Sequence, residues 1–176
     1  MSPAEARQHA AFTAMMWALS YPGRPQRLPA GGLAAFALIG ATLVDLETGY
    51  YTPDPELAAA LARTGGQAMP PGRAPYQLYP RLDEVGLAAI AAAPAGTYLD
   101  PDLGATLVIG CALDEGPALS LAGPGIRRPL TIRVGGVPRG LWALRSAATY
   151  PLGWDILLVA GDQLVGLPRT TAVEVR

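Results

Sequence analysis

The chain has 176 residues, a formal net charge of −1, 51 % hydrophobic residues and 15 % charged ones, enough for one self-supporting core and with no overall pull toward nucleic acid or anionic lipid. All 13 basic residues are arginine, so neither a lysine Schiff base, such as pyridoxal phosphate requires, nor a P-loop lysine is available. One cysteine, Cys111, and one histidine, His9, exclude an internal disulfide, a cysteine-rich zinc site and a self-contained iron–sulfur cluster.

Ser2-Pro3-Ala4-Glu5 reads as a capping box with proline at the first helical position. Phe12, Met15, Met16 and Leu19 recur at helical spacing, and Tyr21-Pro22-Gly23 stops that helix. Arg24 to Gly32 is a Pro/Gly loop. A second helix is expected over Leu33 to Leu46, with Gly40 permitting close packing. Asp54-Pro55 starts a short third helix through Leu57 and Leu61, which Gly65-Gly66 ends. Gln67 to Pro80 is rich in Pro and Gly and gives no clear element. Asp83 caps a fourth helix that ends before Pro94.

From Gly104 the pattern changes to strands. "ATLVIGCAL" and "ALSLAG" are expected to pair as an antiparallel hairpin through Asp114-Glu115-Gly116-Pro117. "LTIRV" is a strand and "PRGLWALRSAA" a helix. "DILLVAG" and "QLVGLP" form a hairpin at Gly161-Asp162. "TAVEVR" is a short terminal strand with Val173 and Val175 on one face. Ile156 to Val159 is continuously apolar, the mark of a strand covered on both sides. The fold class is therefore α/β: a single three-layer domain over 1–176 with a mixed sheet between helices. The longest apolar stretch, "GGLAAFALIGATLV", is shorter than the roughly 20 residues a membrane span needs. The start "MSPAEARQHA" lacks a secretory signal's character, so a cytoplasmic location is expected.

Candidate sites are few. "GPGIRR", Gly123 to Arg128, looks like a phosphate loop, but it lacks the third glycine and leads through Pro129 into a strand. A turn in which Gly123 and Gly125 supply positive φ accounts for it better. Arg127 and Arg128 can hold an anion or an acidic partner, or stay solvated. His9 sits beside the helix's apolar stripe, and Cys111 reads as a small hydrophobe in a strand. Asp45 and Glu47 show no sign of facing each other. Trp17, Trp142 and Trp154 read as core anchors or interface residues. In "GLPRTT", Pro168 belongs at a strand edge, Gly166 relaxes the backbone, Arg169 can bridge to Asp155, and Thr170 and Thr171 can tie loop amides. The competing reading makes Arg169 and Thr170 phosphate-binding or partner-binding groups.

Tyr150-Pro151-Leu152-Gly153-Trp154-Asp155, a strand hairpin and Pro168-Arg169-Thr170-Thr171 together resemble the closing signature of the PhnH family, the H subunit of the bacterial carbon–phosphorus lyase system. "MMWALSYPG" at 15–23, "GATLVIG" at 104–110 and "LSLAGPGI" at 119–126 are similar to that family's upstream segments, in the same order. Two positions depart from its pattern: Arg63 replaces a histidine and Thr13 an arginine, and the 67–101 stretch is shortened.

The resemblance implies a fold like the large domain of pyridoxal-phosphate-dependent transferases without the cofactor site. It further implies a homodimer that joins the G, I and J subunits in a core complex degrading organophosphonates. In that complex the I subunit, helped by G, H and L, displaces adenine from ATP with the phosphonate. A non-catalytic subunit with no cofactor is the expectation. The alternative is a phosphate- or nucleotide-binding protein or enzyme using Arg169 and the Arg127–Arg128 loop.

Overall fold

Two strands explain why the centre of the molecule is a sheet. In β5 (Thr106–Gly110) and β8 (Asp155–Ala160), successive side chains point to opposite sides, and both sides are apolar. Leu107, Ile109, Ile156 and Leu158 enter one core, while Val108, Leu157 and Val159 enter another. The continuous apolar run at Ile156 to Val159 is thus buried on both faces, as its sequence required.

The computed structural model describes residues 2–176. Around β5 and β8 lie β1 (Gln26–Arg27), β2 (Gly49–Tyr51), β3 (Gln67–Ala68), β4 (Tyr76–Tyr79) and β9 (Gln163–Leu167). They form a seven-stranded sheet in the order β1-β9-β8-β5-β4-β2-β3. From β8 to β3 the neighbours run parallel, and β9 and β1 turn antiparallel at one end, so the sheet is mixed. Its first face is covered by α1 (Pro3–Ser20), α2 (Leu33–Leu43) and α3 (Pro55–Ala62).

The second face departs from the expected cover of helices alone. Here α4 (Glu84–Ala91) and α5 (Gly140–Ser146) share the layer with a three-stranded antiparallel sheet, β10-β6-β7. These strands are β6 (Ala112–Ala122), β7 (Leu130–Gly135) and β10 (Ala172–Val175). In β7, exposed Thr131 and Arg133 alternate with Leu130, Ile132 and Val134 on the covered side, the pattern of a sheet with one face in water.

The capping residues do what their chemistry dictates. The Ser2 hydroxyl accepts from the Glu5 amide at 3.2 Å, and the Glu5 carboxylate accepts from the Ser2 amide at 2.6 Å. Asp54 and Asp83 accept from the Leu57 and Gly86 amides, each at 2.8 Å. The second helix stops at Leu43 rather than Leu46. Val44 turns extended, and Asp45 Oδ1 takes the Glu47 amide and Thr48 hydroxyl, a local bond that competes with helix continuation.

The hairpin expected at Asp114–Pro117 does not exist. Asp114 (φ 66°) and Gly116 (φ 71°) form a bulge inside the single strand β6, where its register against β7 shifts between Leu113 and Ala118. The chain leaves the large sheet at Cys111, so β5 and β6 lie in different sheets. The hairpin at Gly161-Asp162 is present. The terminal strand crosses to pair with β6; Val173 is buried there and Val175 exposed.

Candidate functional site

Pro168-Arg169-Thr170-Thr171 is the turn that carries the chain from β9 in one sheet to β10 in the other. Pro168 follows the last residue of β9, where its missing N–H interrupts no pairing. The Thr171 amide donates to the Pro168 carbonyl at 2.8 Å and closes the turn.

Arg169 is held on every side. Its Nη2 lies 2.8 Å from Asp155 Oδ2, its amide donates to Asp155 Oδ1 at 2.8 Å, and Nη2 reaches the Gly104 carbonyl at 3.3 Å. Nη1 donates to the Pro101 carbonyl. The bridge to Asp155 that the sequence allowed is therefore present, part-buried and reinforced by backbone carbonyls. Gly104 is what lets the guanidinium lie there, because a Cβ would meet Nη1 at 2.5 Å.

A second arginine, which the sequence did not single out, grips the same turn from α5. Arg145 is only 8 % exposed. Its Nη1 donates to the Thr171 carbonyl at 2.9 Å and its Nη2 to the Pro168 carbonyl at 2.6 Å. Burial pushes its guanidinium down to about 10, and the nearby Asp155 charge opposes that fall. It stays charged at neutral pH. Among the described residues, Arg145 Nε and the buried Thr171 hydroxyl have no hydrogen-bond partner.

Beside this turn lies a cavity of about 300 Å³ whose polar walls include Arg145, Ser146, Tyr150, Arg169, Thr170 and Thr171. Among the described residues, neither a histidine, a cysteine nor a carboxylate lines it. Tyr150, joined to Pro151 by a cis peptide, and Gly153, at φ 118°, line it as well. The Gly153 amide donates to Ala95 O at 2.9 Å and Trp154 Nε1 to Pro94 O at 3.0 Å, tying this segment to the end of α4.

The Gly123–Arg128 loop joins β6 to β7, with Gly123 and Gly125 at positive φ. It touches the turn from outside: a Cβ on Gly123 would sit 2.7 Å from the Thr170 carbonyl. One on Gly125 would sit 2.6 Å from the Ser20 carbonyl at the end of α1. The "SYPG", "GPGI", "GATL" and "PRTT" segments, scattered in sequence, thus meet around one junction. Arg127 and Arg128 are exposed and point to a different cavity, which they share with Arg24.

The remaining candidates do not join. His9 is exposed on the outer side of α1. Cys111 is half-buried, and desolvation pushes its thiol up to about 12, away from reactivity at neutral pH. Trp142 and Trp154 are buried, whereas Trp17 is exposed. Among the described residues, no group of three or more His, Cys, Asp or Glu is placed to hold a metal ion, and no helix is long and apolar enough to cross a membrane.

These features define a layered α/β protein whose charged motif residues clamp backbone carbonyls across a junction between two sheets. The chain belongs to the PhnH family of bacterial phosphonate metabolism proteins, whose profile it matches over residues 1–174. It is 36 % identical over 175 residues to the C-P lyase subunit protein HtxG of Stutzerimonas stutzeri, covering 97 % of this chain and 87 % of that protein. It is 40 % identical over 83 residues to the alpha-D-ribose 1-methylphosphonate 5-triphosphate synthase subunit PhnH of Rhizobium meliloti (strain 1021), covering 45 % of this chain and 41 % of that protein.

Proposed function

We propose that this chain is a non-catalytic subunit of a carbon–phosphorus lyase complex, needed for organophosphonate catabolism and acting by association. One contrast carries the reading. Arg169 and Asp155 are engaged with each other and with the fold, while large apolar side chains such as Phe12 and Trp17 stand outside. A molecule so built holds a shape for others. The names of its relatives, each a subunit, support the same conclusion.

On this reading the whole chain, 1–176, is a single PhnH-like domain working in the cytoplasm as a homodimer alongside G, I and J subunits. It supports the I-type subunit in joining phosphonate to ATP and itself carries no cofactor. Pro151, Gly153, Asp155, Pro168, Arg169, Thr170 and Thr171 hold the junction, while Gly123, Gly125, Arg127 and Arg128 present a surface. The scaffold corresponds to the large domain of pyridoxal-phosphate-dependent transferases, which superposition of the seven-stranded sheet tests. In the alternative reading Arg169 would bind phosphate, but that guanidinium already contacts Asp155 and two carbonyls. An anion would have to displace them.

Co-expression with the neighbouring phosphonate genes is the test. The chain is expected to co-purify with an I-type subunit and to turn over no phosphonate alone. Recovery of the chain free of any partner, or unaided turnover by the pure chain, overturns the reading.

A further inference from the structure

Arg24, Arg127 and Arg128 come from loops far apart in the sequence and meet at one cavity of about 380 Å³, floored by Pro22, Ile126 and Leu130. Arg24 also lines a neighbouring cavity of about 290 Å³ with Trp17, Tyr21 and Gln26, so its side chain joins the two. The Trp17 and Tyr21 rings stack 5.4 Å apart, and the Arg24 guanidinium lies 5.7 Å from the Tyr21 ring centre. On α1 Phe12 is 54 % exposed, Met16 45 % and Trp17 43 %, and Tyr21, just past its end, is 41 % exposed.

The end of α1 thus presents a stacked aromatic pair, Trp17 and Tyr21, that joins a cluster of three cations, with Met16 and Phe12 exposed further back on the helix. Among the described residues none of the three arginines has an ion-pair partner. Neither cavity is lined by a carboxylate, and the one acid of α1, Glu5, lies in its first turn. Like charges gathered without counter-charge cost the free chain something. Trp, Tyr, Met and Arg are also the side chains that dominate protein contacts.

The charge decides the occupant. A second copy docking about a two-fold axis through this patch would set it on itself, arginine against arginine, with no carboxylate to relieve it. The partner must instead bring negative charge beside an apolar anchor. We infer that the outer face of α1 and the Arg24–Arg127–Arg128 cavity form one docking surface for an acidic, apolar-tipped segment of another subunit in the same complex. This rests on the subunit reading above and leaves the homodimer contact to a different face.

The test is made on the complex co-expressed from the clustered genes. Arg127→Glu combined with Arg128→Glu is expected to weaken retention of the chain in the complex by about 30-fold or more, and Trp17→Ala by about tenfold. Arg73→Glu, an exposed arginine elsewhere, is expected to leave retention unchanged, and added salt to slow wild-type association. A photo-crosslinking residue at position 16 is expected to capture a partner peptide rich in Asp and Glu, and reversing those acids to Lys is expected to restore binding to the Glu variants. All variants are first shown to unfold at the wild-type urea midpoint.

Four outcomes overturn the inference: full retention of the charge-reversed chain, a crosslink to a second copy of this chain, a crosslinked peptide without acids, or micromolar binding of tripolyphosphate to the isolated chain that Arg127→Glu abolishes. These leave the subunit reading standing. If the wild-type chain joins no complex at all, that reading fails and this surface with it.

Discussion

At Arg145 and Arg169 a planar guanidinium is used as a bracket rather than as a reagent. Arg145 reaches the carbonyls of Pro168 and Thr171 from α5, and Arg169 reaches those of Pro101 and Gly104 from inside the turn. Two carbonyls reached by the two ends of one guanidinium suit a fork of N–H groups and not a single ammonium. Arg145→Lys is therefore expected to keep the charge yet destabilise the chain by about 2–3 kcal/mol, because a buried carbonyl loses its donor and the ammonium is harder to desolvate. Urea unfolding measures this, and a loss below about 0.5 kcal/mol would show that the bracket does not hold the turn. Arg169 was legible from its motif, since a proline-arginine turn after a strand needs some anchor. Arg145 was not, because "LWALRSAA" has the look of an ordinary helix carrying a surface arginine. Only the crossing of α5 over the turn reveals its target.

Among the elements, the contact of β9 with α1 shows how a single atom can set a layer's position. Gly166 faces the carbonyl of Ala18, and a Cβ would collide with that backbone oxygen, which cannot rotate aside. The sequence suggested that Gly166 relaxes the strand; its role is close approach, and it does not adopt a positive φ. Gly166→Ala is expected to cost about 2–3 kcal/mol through overpacking of helix on strand. Gly31→Ala makes the matched comparison, since its Cβ would find its nearest neighbour at 3.5 Å. That change should be neutral or stabilise by up to about 1 kcal/mol by restricting the unfolded chain. Equal effects at both sites, read from thermal or urea unfolding, would remove the close-approach explanation. Local chemistry likewise separates what could be read in advance from what could not. Ser2, Asp54 and Asp83 announce helices because a cap is made within three residues. β1, β2 and β3 span two or three residues each, and nothing in Gln26-Arg27 indicates a partner at Gln163-Leu164. The segment Asp114–Pro117 misled because its residues suit a turn, yet the same residues suit a bulge, and only pairing with β7 decides between them.

Across the whole molecule, two cores share one sheet, and the apolar surplus in the composition divides between them and the exterior. α1 illustrates the division. Ala11, Ala14, Met15 and Ala18 face the sheet, whereas Phe12 and Met16, which helical spacing had assigned to the same stripe, face outward. Three of the four inner residues are alanines, which lets the helix lie close against β9 at Gly166, while Phe12 and Met16 are turned away from it. Periodicity could not show this, because it counts apolar residues without weighing the room each one needs. The junction of three arginines was equally hidden, since Arg24 and Arg127 become neighbours only when the end of α1 meets the β6–β7 loop. If the outer strip serves contacts between proteins, its side chains should add little to the chain's own folding. Phe12→Gln with Met16→Gln keeps helix-forming residues and is expected to change unfolding stability by less than about 1 kcal/mol. Leu158→Ala, in a fully buried strand position, is expected to cost about 2–5 kcal/mol. The same outer double variant should leave self-association of the isolated chain unchanged in sedimentation experiments, because the homodimer contact is assigned to a different face. A large stability loss from the outer pair would mean that the strip belongs to the core of this chain, and the case for a surface kept free for another protein would fall with it.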